Sequence, residues 1–252
     1  MRDSSGRRWE TESYSGRQVG SRIPNGKPTS LSVDATIKAA ALSGNISNGN
    51  ISVEESDIRE RVFERKTGVT ILFLVDASGS MGARRRMSAV KGAMLSILTD
   101  AYQKRDRVGL VTFRGNRAEV LVPPTNSVEL AKKRMELMPT GGKTPLAHGL
   151  YLAEKTILNE MNRRPNDIYL LTVISDCKGN VPLTDDSSED IRRISADIAD
   201  KNIHCLVLDT ETGMIKLGMA RKLADQLGAR YMRLEDIGSE SIKNAARQTL
   251  GV

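Results

Sequence analysis

Three oxygen-bearing side chains, Asp76, Ser78 and Ser80, occupy alternate positions in "DASGS". They directly follow "VTILFLV", a hydrophobic run of strand length, so they fall where a buried strand ends. Two more polar residues hold comparable places. Asp176 ends the segment "DIYLLTVISD", and Thr144 lies in the Gly-rich "PTGGKTPLAHG" just before Pro145, a residue suited to the first turn of a helix. Together these are two carboxylates and three hydroxyls, a hard oxygen set. Magnesium prefers such donors in octahedral geometry, uses one or two carboxylates and keeps several waters, so the set would leave a coordination position for water or for a carboxylate from another protein. Taken singly, each residue also has a structural use, Ser78 and Thr144 as helix caps and Asp76 as an acid near a helix start. Their coincidence in three loops favours the metal.

A serine after a strand also raises acyl-transfer chemistry. "DASGS" lacks the GxSxG spacing of a nucleophile elbow. Of the two histidines, His148 follows "TPLA" at a helix start, and His204 alternates within the strand-like "IHCLVL". "TGGKTPL" lacks the glycine spacing of a GxxxxGK[ST] phosphate loop, so ATP hydrolysis is not expected of this chain.

These residues can meet only if the intervening elements place them on one edge. From Gly68 onward, hydrophobic strand candidates alternate with amphipathic helices. "VTILFLVD" leads to a helix over "RMSAVKGAMLSILTDAYQK", then come "RVGLVTFR" and "RAEVLVPP", joined too closely for a crossover helix and therefore antiparallel. Helices are expected at about 127–138, 145–161, 189–200, 216–227 and 238–248, with strands at "DIYLLTVISD", "NIHCLVLD" and "ARYMRL". The pattern predicts an α/β fold: a doubly wound, mostly parallel six-stranded sheet with one antiparallel edge strand. In such a sheet, loops beyond the C-terminal strand ends form the ligand crevice. Residues 68–252 are read as this domain, 31–67 as an N-terminal extension packing on it, with a helix over about 34–42, and the Ser-, Gly- and Arg-rich residues 1–30 as a flexible basic arm.

The chain has 252 residues, enough for one substantial core with attached segments. Its 38 Lys and Arg against 31 Asp and Glu give a formal charge of +7, but aromatics are only 4%, without the stacking platforms of single-strand nucleic-acid binders. The charge therefore reads as an interaction surface, with "ARRRM" supplying Arg84, Arg85 and Arg86 beside the candidate site. Cys177 and Cys205 sit in or beside hydrophobic runs without metal-ligand spacing, which points to a reducing, cytoplasmic setting. No run of about 18 apolar residues exists, so no membrane span is expected.

"DASGSM", "GGKTPLAHGL" and the strand-ending "SD" resemble the metal-ion-dependent adhesion site of von Willebrand factor A domains. The resemblance implies a magnesium ion, or another divalent cation such as manganese, held by Asp76, Ser78, Ser80, Thr144 and Asp176. A longer likeness, from about residue 30 to 235 and including "DATIKAAA" and "DIRERVFERK", is to the C-terminal domain of the magnesium chelatase D subunit. It implies an accessory subunit, not catalytic alone, that docks an AAA+ ATPase subunit and a large tetrapyrrole-binding subunit of a magnesium or cobalt chelatase. The alternative is a von Willebrand factor A interaction module for another AAA+ system. Two departures stand out. The family's D subunit carries an N-terminal AAA+-like domain and an acidic, proline-rich linker, so this sequence reads as an excised portion or a short homologue. The family usually has glycine after the third-loop acid, where this chain has Cys177, a side chain that is either simply tolerated or narrows the loop or adds a soft ligand and so alters metal preference.

Overall fold

The near-continuous apolar run of residues 69–76 becomes a strand buried along its whole length, as expected of a central strand covered on both faces. The computed structural model describes residues 9–13, 17–44, 46–47, 50–78, 84–104, 106–138, 141–201, 203–211, 217–234, 244–246 and 248–250. The chain divides into two units, one comprising Trp9–Thr67 and the other including Gly68–Val252.

The smaller unit contains strands β1 (Trp9–Ser13) and β2 (Arg17–Arg22), helix α1 (Val33–Leu42), the short pair β3 (Ile46–Ser47) and β4 (Asn50–Ile51), and strand β5 (Glu60–Thr67). β5 is central and antiparallel to both β1 and β2, with an irregularity between Gln18 and Gly20. The segment expected as an arm thus contributes two strands among its described residues. Glu60 anchors this unit: Arg22 donates to its Oε1 from Nε at 3.1 Å and Nη2 at 2.9 Å, and the Thr29 N–H donates to its Oε2 at 3.2 Å. The Arg22 hydrogen bonds, with that from Thr29, hold the Glu60 carboxyl below its usual range.

In the larger unit, β6 (Val69–Asp76) is followed by α2 (Arg84–Lys104), β7 (Arg107–Arg114), β8 (Arg117–Thr125), α3 (Val128–Glu136), α4 (Leu146–Arg163), β9 (Ile168–Ser175), α5 (Ser187–Ala199), β10 (His204–Asp209), α6 (Met219–Leu227) and β11 (Arg230–Arg233). Among the described residues the sheet order is β11-β10-β9-β6-β7-β8, every pairing parallel except β7 with β8. This is the mostly parallel six-stranded sheet with a reversed edge strand that the sequence pattern predicts. Of the helix expected over 238–248, the residues 244–246 and 248 are helical and the others lie outside the described residues.

Alternation along β6 builds two core layers. Ile71, Phe73 and Val75 pack with Val90, Met94 and Ile97 of α2 and Met135 of α3; Leu72 and Leu74 pack with Leu150 and Ile157 of α4, Ile194 of α5 and Leu223 of α6. Each such burial contributes roughly 1.5–3 kcal/mol. Register sets the polar edge: Asp76 pairs with Phe113 and Asp209 with Ser175, so the last residues of β6, β9 and β10 share one end of the sheet. Gly149 lets α4 approach closely, because a Cβ there would stand 2.7 Å from Phe113 Cδ1 and 3.1 Å from Leu74 Cδ1.

Candidate metal centre

Asp76 ends β6 with 0% exposure. The Ser78 N–H donates to its Oδ1 at 2.8 Å, closing the local turn an aspartate favours at a strand end, and the Ser175 hydroxyl donates to its Oδ2 at 2.8 Å. Burial raises the Asp76 pKa against the opposing hydrogen bonds from Ser78 and Ser175, and the negative charge of Asp176 raises it further. A cation beside these two acids would relieve both effects. Ser78 is fully buried. Ser80 lies outside the described residues. Arg84, Arg85 and Arg86 open α2, but their side chains are likewise outside them.

The Thr144 loop is stitched to this strand end. Gly141 and Gly142 take φ of 126° and 91°, left-handed values that glycine adopts without strain. The Gly141 N–H donates to the Ala77 carbonyl at 2.8 Å, and the Gly115 N–H of the β7–β8 turn donates to the Lys143 carbonyl at 3.0 Å. Thr144 is buried. Asn180 holds it from the third loop: its Oδ1 accepts the Thr144 N–H at 2.9 Å, and its own N–H donates to the Thr144 carbonyl at 3.1 Å.

In the third loop Asp176 is 2% exposed, and its Oδ1 accepts the Lys178 N–H at 3.2 Å. Ser175 joins this loop to the first, because its Oγ accepts the Cys177 N–H at 2.8 Å while donating to Asp76. Cys177 has φ 57°, a left-handed conformation that favours glycine over a residue with a Cβ. Burial pushes its thiol pKa well up, and Sγ lies 3.9 Å from the Ser175 carbonyl.

Hydrogen bonds thus draw together the loops carrying Asp76, Ser78, Thr144 and Asp176. Among the described residues, no group of three or more His, Cys, Asp and Glu could hold a metal ion, so a cation here would rest on two carboxylates, hydroxyls and water. That donor set fits magnesium or manganese. Each histidine has a place of its own in the fold. His148 Nε2 lies 3.1 Å from the Pro182 carbonyl, and His204 begins β10, at the opposite end of that strand from Asp209.

Sequence reasoning missed Ser175, Asn180, Lys178 and Glu211. The Lys178 Nζ lies 3.0 Å from Glu211 Oε1 and 4.0 Å from Asp176 Oδ2. Glu211 accepts the Leu217 N–H at 3.0 Å and the Gly218 N–H at 3.2 Å, just before α6. Burial opposes its charge, but the hydrogen bonds from Leu217, Lys178 and Gly218 prevail and keep its carboxyl below the usual range. Ser175 and Asn180 were visible only as neighbours of Asp176 in "SDCKGN"; Glu211 carried no signal.

The von Willebrand factor type A domain family matches residues 71–176, and the AAPxQ domain family matches residues 15–63. The magnesium-chelatase 67 kDa subunit of Heliobacterium mobile is 39% identical over 239 residues, covering 89% of this chain and 36% of that protein. An uncharacterized protein of Methanocaldococcus jannaschii is 40% identical over 163 residues, 64% of this chain and 94% of that one. The chain spans about a third of the length of the magnesium-chelatase subunits it matches. Among solved structures, a von Willebrand factor type A protein from Catenulispora acidiphila superposes with a TM-score of 0.54 at 19% identity, over 74% of this chain and 42% of that one, and shares its fold.

Proposed function

The chain belongs to the von Willebrand factor type A proteins related to the magnesium-chelatase 60 and 67 kDa subunits, and on that premise we propose that it is a non-catalytic docking subunit or domain of an ATP-dependent magnesium or cobalt chelatase. Asp76, Ser78, Ser80, Thr144 and Asp176 would hold one magnesium or manganese ion. When bound, that ion supplies a coordination position that a carboxylate of a partner can enter.

The observation that carries this reading is Asp76 itself: a fully buried carboxyl, met by a backbone N–H and hydroxyls, in the field of a second buried acid. The chain's residues shape and polarise the site; no step of metal insertion into the ring is assigned to them. Fitting partners are the AAA+ ATPase subunit and the large tetrapyrrole-binding subunit, with Arg84, Arg85 and Arg86 steering an acidic surface toward the site. The setting proposed is cytoplasmic: Cys177 and Cys205 are buried and free, and no described helix is long and apolar enough to cross a membrane. A second reading is an interaction module for another AAA+ system; the match to 94% of the uncharacterized Methanocaldococcus protein means that the likeness does not depend on the rest of the much longer chelatase subunits.

The test is binding of the purified chain to each chelatase subunit with and without magnesium. Binding is expected to disappear with EDTA and with Asp76→Ala. Equal binding by Asp76→Ala in EDTA would falsify metal-dependent docking, and capture of a different AAA+ protein in place of the chelatase subunits would favour the second reading.

A further inference from the structure

Lys178 is a basic residue placed within 4.0 Å of Asp176 Oδ2, which is an awkward neighbour for a cation site. An ammonium that reached this carboxylate would compete with a divalent ion for the same lone pairs. What keeps it back is visible. Nζ is in contact with Glu211 Oε1 at 3.0 Å, a full ångström closer than to Asp176. The Glu211 side chain is 2% exposed and fixed at both oxygens by the N–H groups of Leu217 and Gly218. Its backbone is fixed too, since the Glu211 N–H donates to Asp209 Oδ1 at 2.7 Å and the Thr210 N–H donates to the Ser175 carbonyl at 3.3 Å. Lys178, by contrast, is 39% exposed and free to pivot on its stem. The immobile partner therefore decides where the mobile charge rests.

We propose that Glu211 is a positioning residue of the metal centre: it holds the Lys178 ammonium away from Asp176 and so leaves that carboxylate available to the cation. This rests on the metal-site reading above. Lys178 then acts as a resident positive charge that moderates affinity, and the ion pair links the site to the segment entering α6. The arrangement needs both members. Without Glu211 the nearest anion to Nζ among the described residues is Asp176, and the lysine becomes an intramolecular competitor; without Lys178, Glu211 is dispensable for metal binding.

Manganese binding to the full chain, measured by titration calorimetry and by the paramagnetic resonance signal of free manganese, tests this with Asp76→Ala, Glu211→Gln, Lys178→Met and the Lys178→Met/Glu211→Gln double variant. Glutamine removes the charge and keeps one of the two acceptor oxygens, so the N–H of Leu217 or Gly218 loses its partner, a loss that the double variant separates from release of the lysine. Glu211→Gln is expected to weaken manganese binding by about tenfold or more, Lys178→Met to tighten it, and the double variant to bind as Lys178→Met does. A structural role for Glu211, as an acceptor for the Leu217 and Gly218 N–H groups, would not be rescued by Lys178→Met. The proposal is overturned if Glu211→Gln binds like the parent, if the double variant stays as weak as Glu211→Gln, or if Lys178→Met weakens binding. In any of these cases loss of binding in Asp76→Ala leaves the metal site standing. Unchanged binding in Asp76→Ala sinks the metal site and this inference with it.

Discussion

Asp76 and Glu160 are both buried acids in the larger unit, and they are treated in opposite ways. Glu160, near the C-terminal end of α4, is met by two arginines: Arg107 Nη2 lies 3.3 Å from its Oε2 and Arg163 Nη1 3.3 Å from its Oε1. Arg107, at the start of β7, also donates to the Pro124 carbonyl, tying the helix to the β7–β8 pair. Asp76 receives a backbone N–H and hydroxyl groups instead. Such donors orient a carboxylate without cancelling its charge, whereas the two guanidinium charges beside Glu160 offset it. The same fold therefore neutralises an acid that fastens elements together and leaves without a cationic partner, among the described residues, one that can act as a ligand. α4 connects the two, with the Thr144 loop before its first turn and Glu160 in its last.

The largest effect expected from this contrast is at the neutralised acid. Glu160→Ala strands Arg107, which is only 21% exposed, and should cost about 3 kcal/mol in urea unfolding, discounted toward about 2 because solvent reaches the pair. Manganese affinity should not change. A concurrent loss of metal binding would mean that the two ends of α4 are not independent.

Gly149→Ala comes next, since it strikes the helix between them. The added Cβ would press on Phe113 and Leu74, and overpacking of this kind typically costs about 1–3 kcal/mol. Because α4 begins at Leu146, just after Thr144, the displaced helix carries the loop with it, and manganese binding should weaken as thermal stability falls. Unaltered binding in a destabilised Gly149→Ala protein would show that the bonds of the loop to Ala77, Gly115 and Asn180 hold Thr144 without help from α4.

Asp76→Asn tests the other side of the contrast and is expected to separate stability from function. Burial disfavours the charged Asp76, so a neutral residue of the same shape should raise the urea midpoint of the metal-free protein while abolishing manganese binding. The hydrogen bonds can be kept: Oδ1 still accepts the Ser78 N–H, and the Ser175 hydroxyl can rotate to accept from the amide. A lower midpoint would mean that the ionised form is what the fold requires.

These substitutions also mark what the sequence could and could not convey. The strand "VTILFLVD", the Gly-rich turn before α4 and "DIYLLTVISD" place Asp76, Thr144 and Asp176 by local pattern alone, since each follows a hydrophobic run or opens a helix. Ser175, Asn180 and Glu211 have no such pattern. The Ser175 bond to Asp76 spans 99 residues and the Asn180 bond to Thr144 spans 36, so their partners exist only once the sheet has assembled. The small unit was opaque for another reason. β5 reads "ERVFERKT", a charged strand without apolar alternation, and β1 and β2 attach to it through backbone pairing that composition does not announce.

Cys177→Gly should have the smallest effect, and its near-neutrality would be informative. The left-handed φ of 57° costs a non-glycine residue roughly 1–2 kcal/mol, and glycine removes that strain. Against this, glycine frees the unfolded chain by roughly 0.5–1 kcal/mol and loses the contacts of a buried side chain. The opposing contributions are similar in size, so the unfolding free energy should move by less than about 1 kcal/mol. Metal preference should not move either, because burial disfavours the thiolate and Sγ lies 3.9 Å from the Ser175 carbonyl. Competition between manganese and cadmium for the parent and Cys177→Gly proteins is the measurement. Equal selectivity places Cys177 with Ser175 as part of the frame around the two acids, whereas a loss of cadmium affinity in the glycine variant would make the sulfur a ligand and the site softer than its oxygen donors imply.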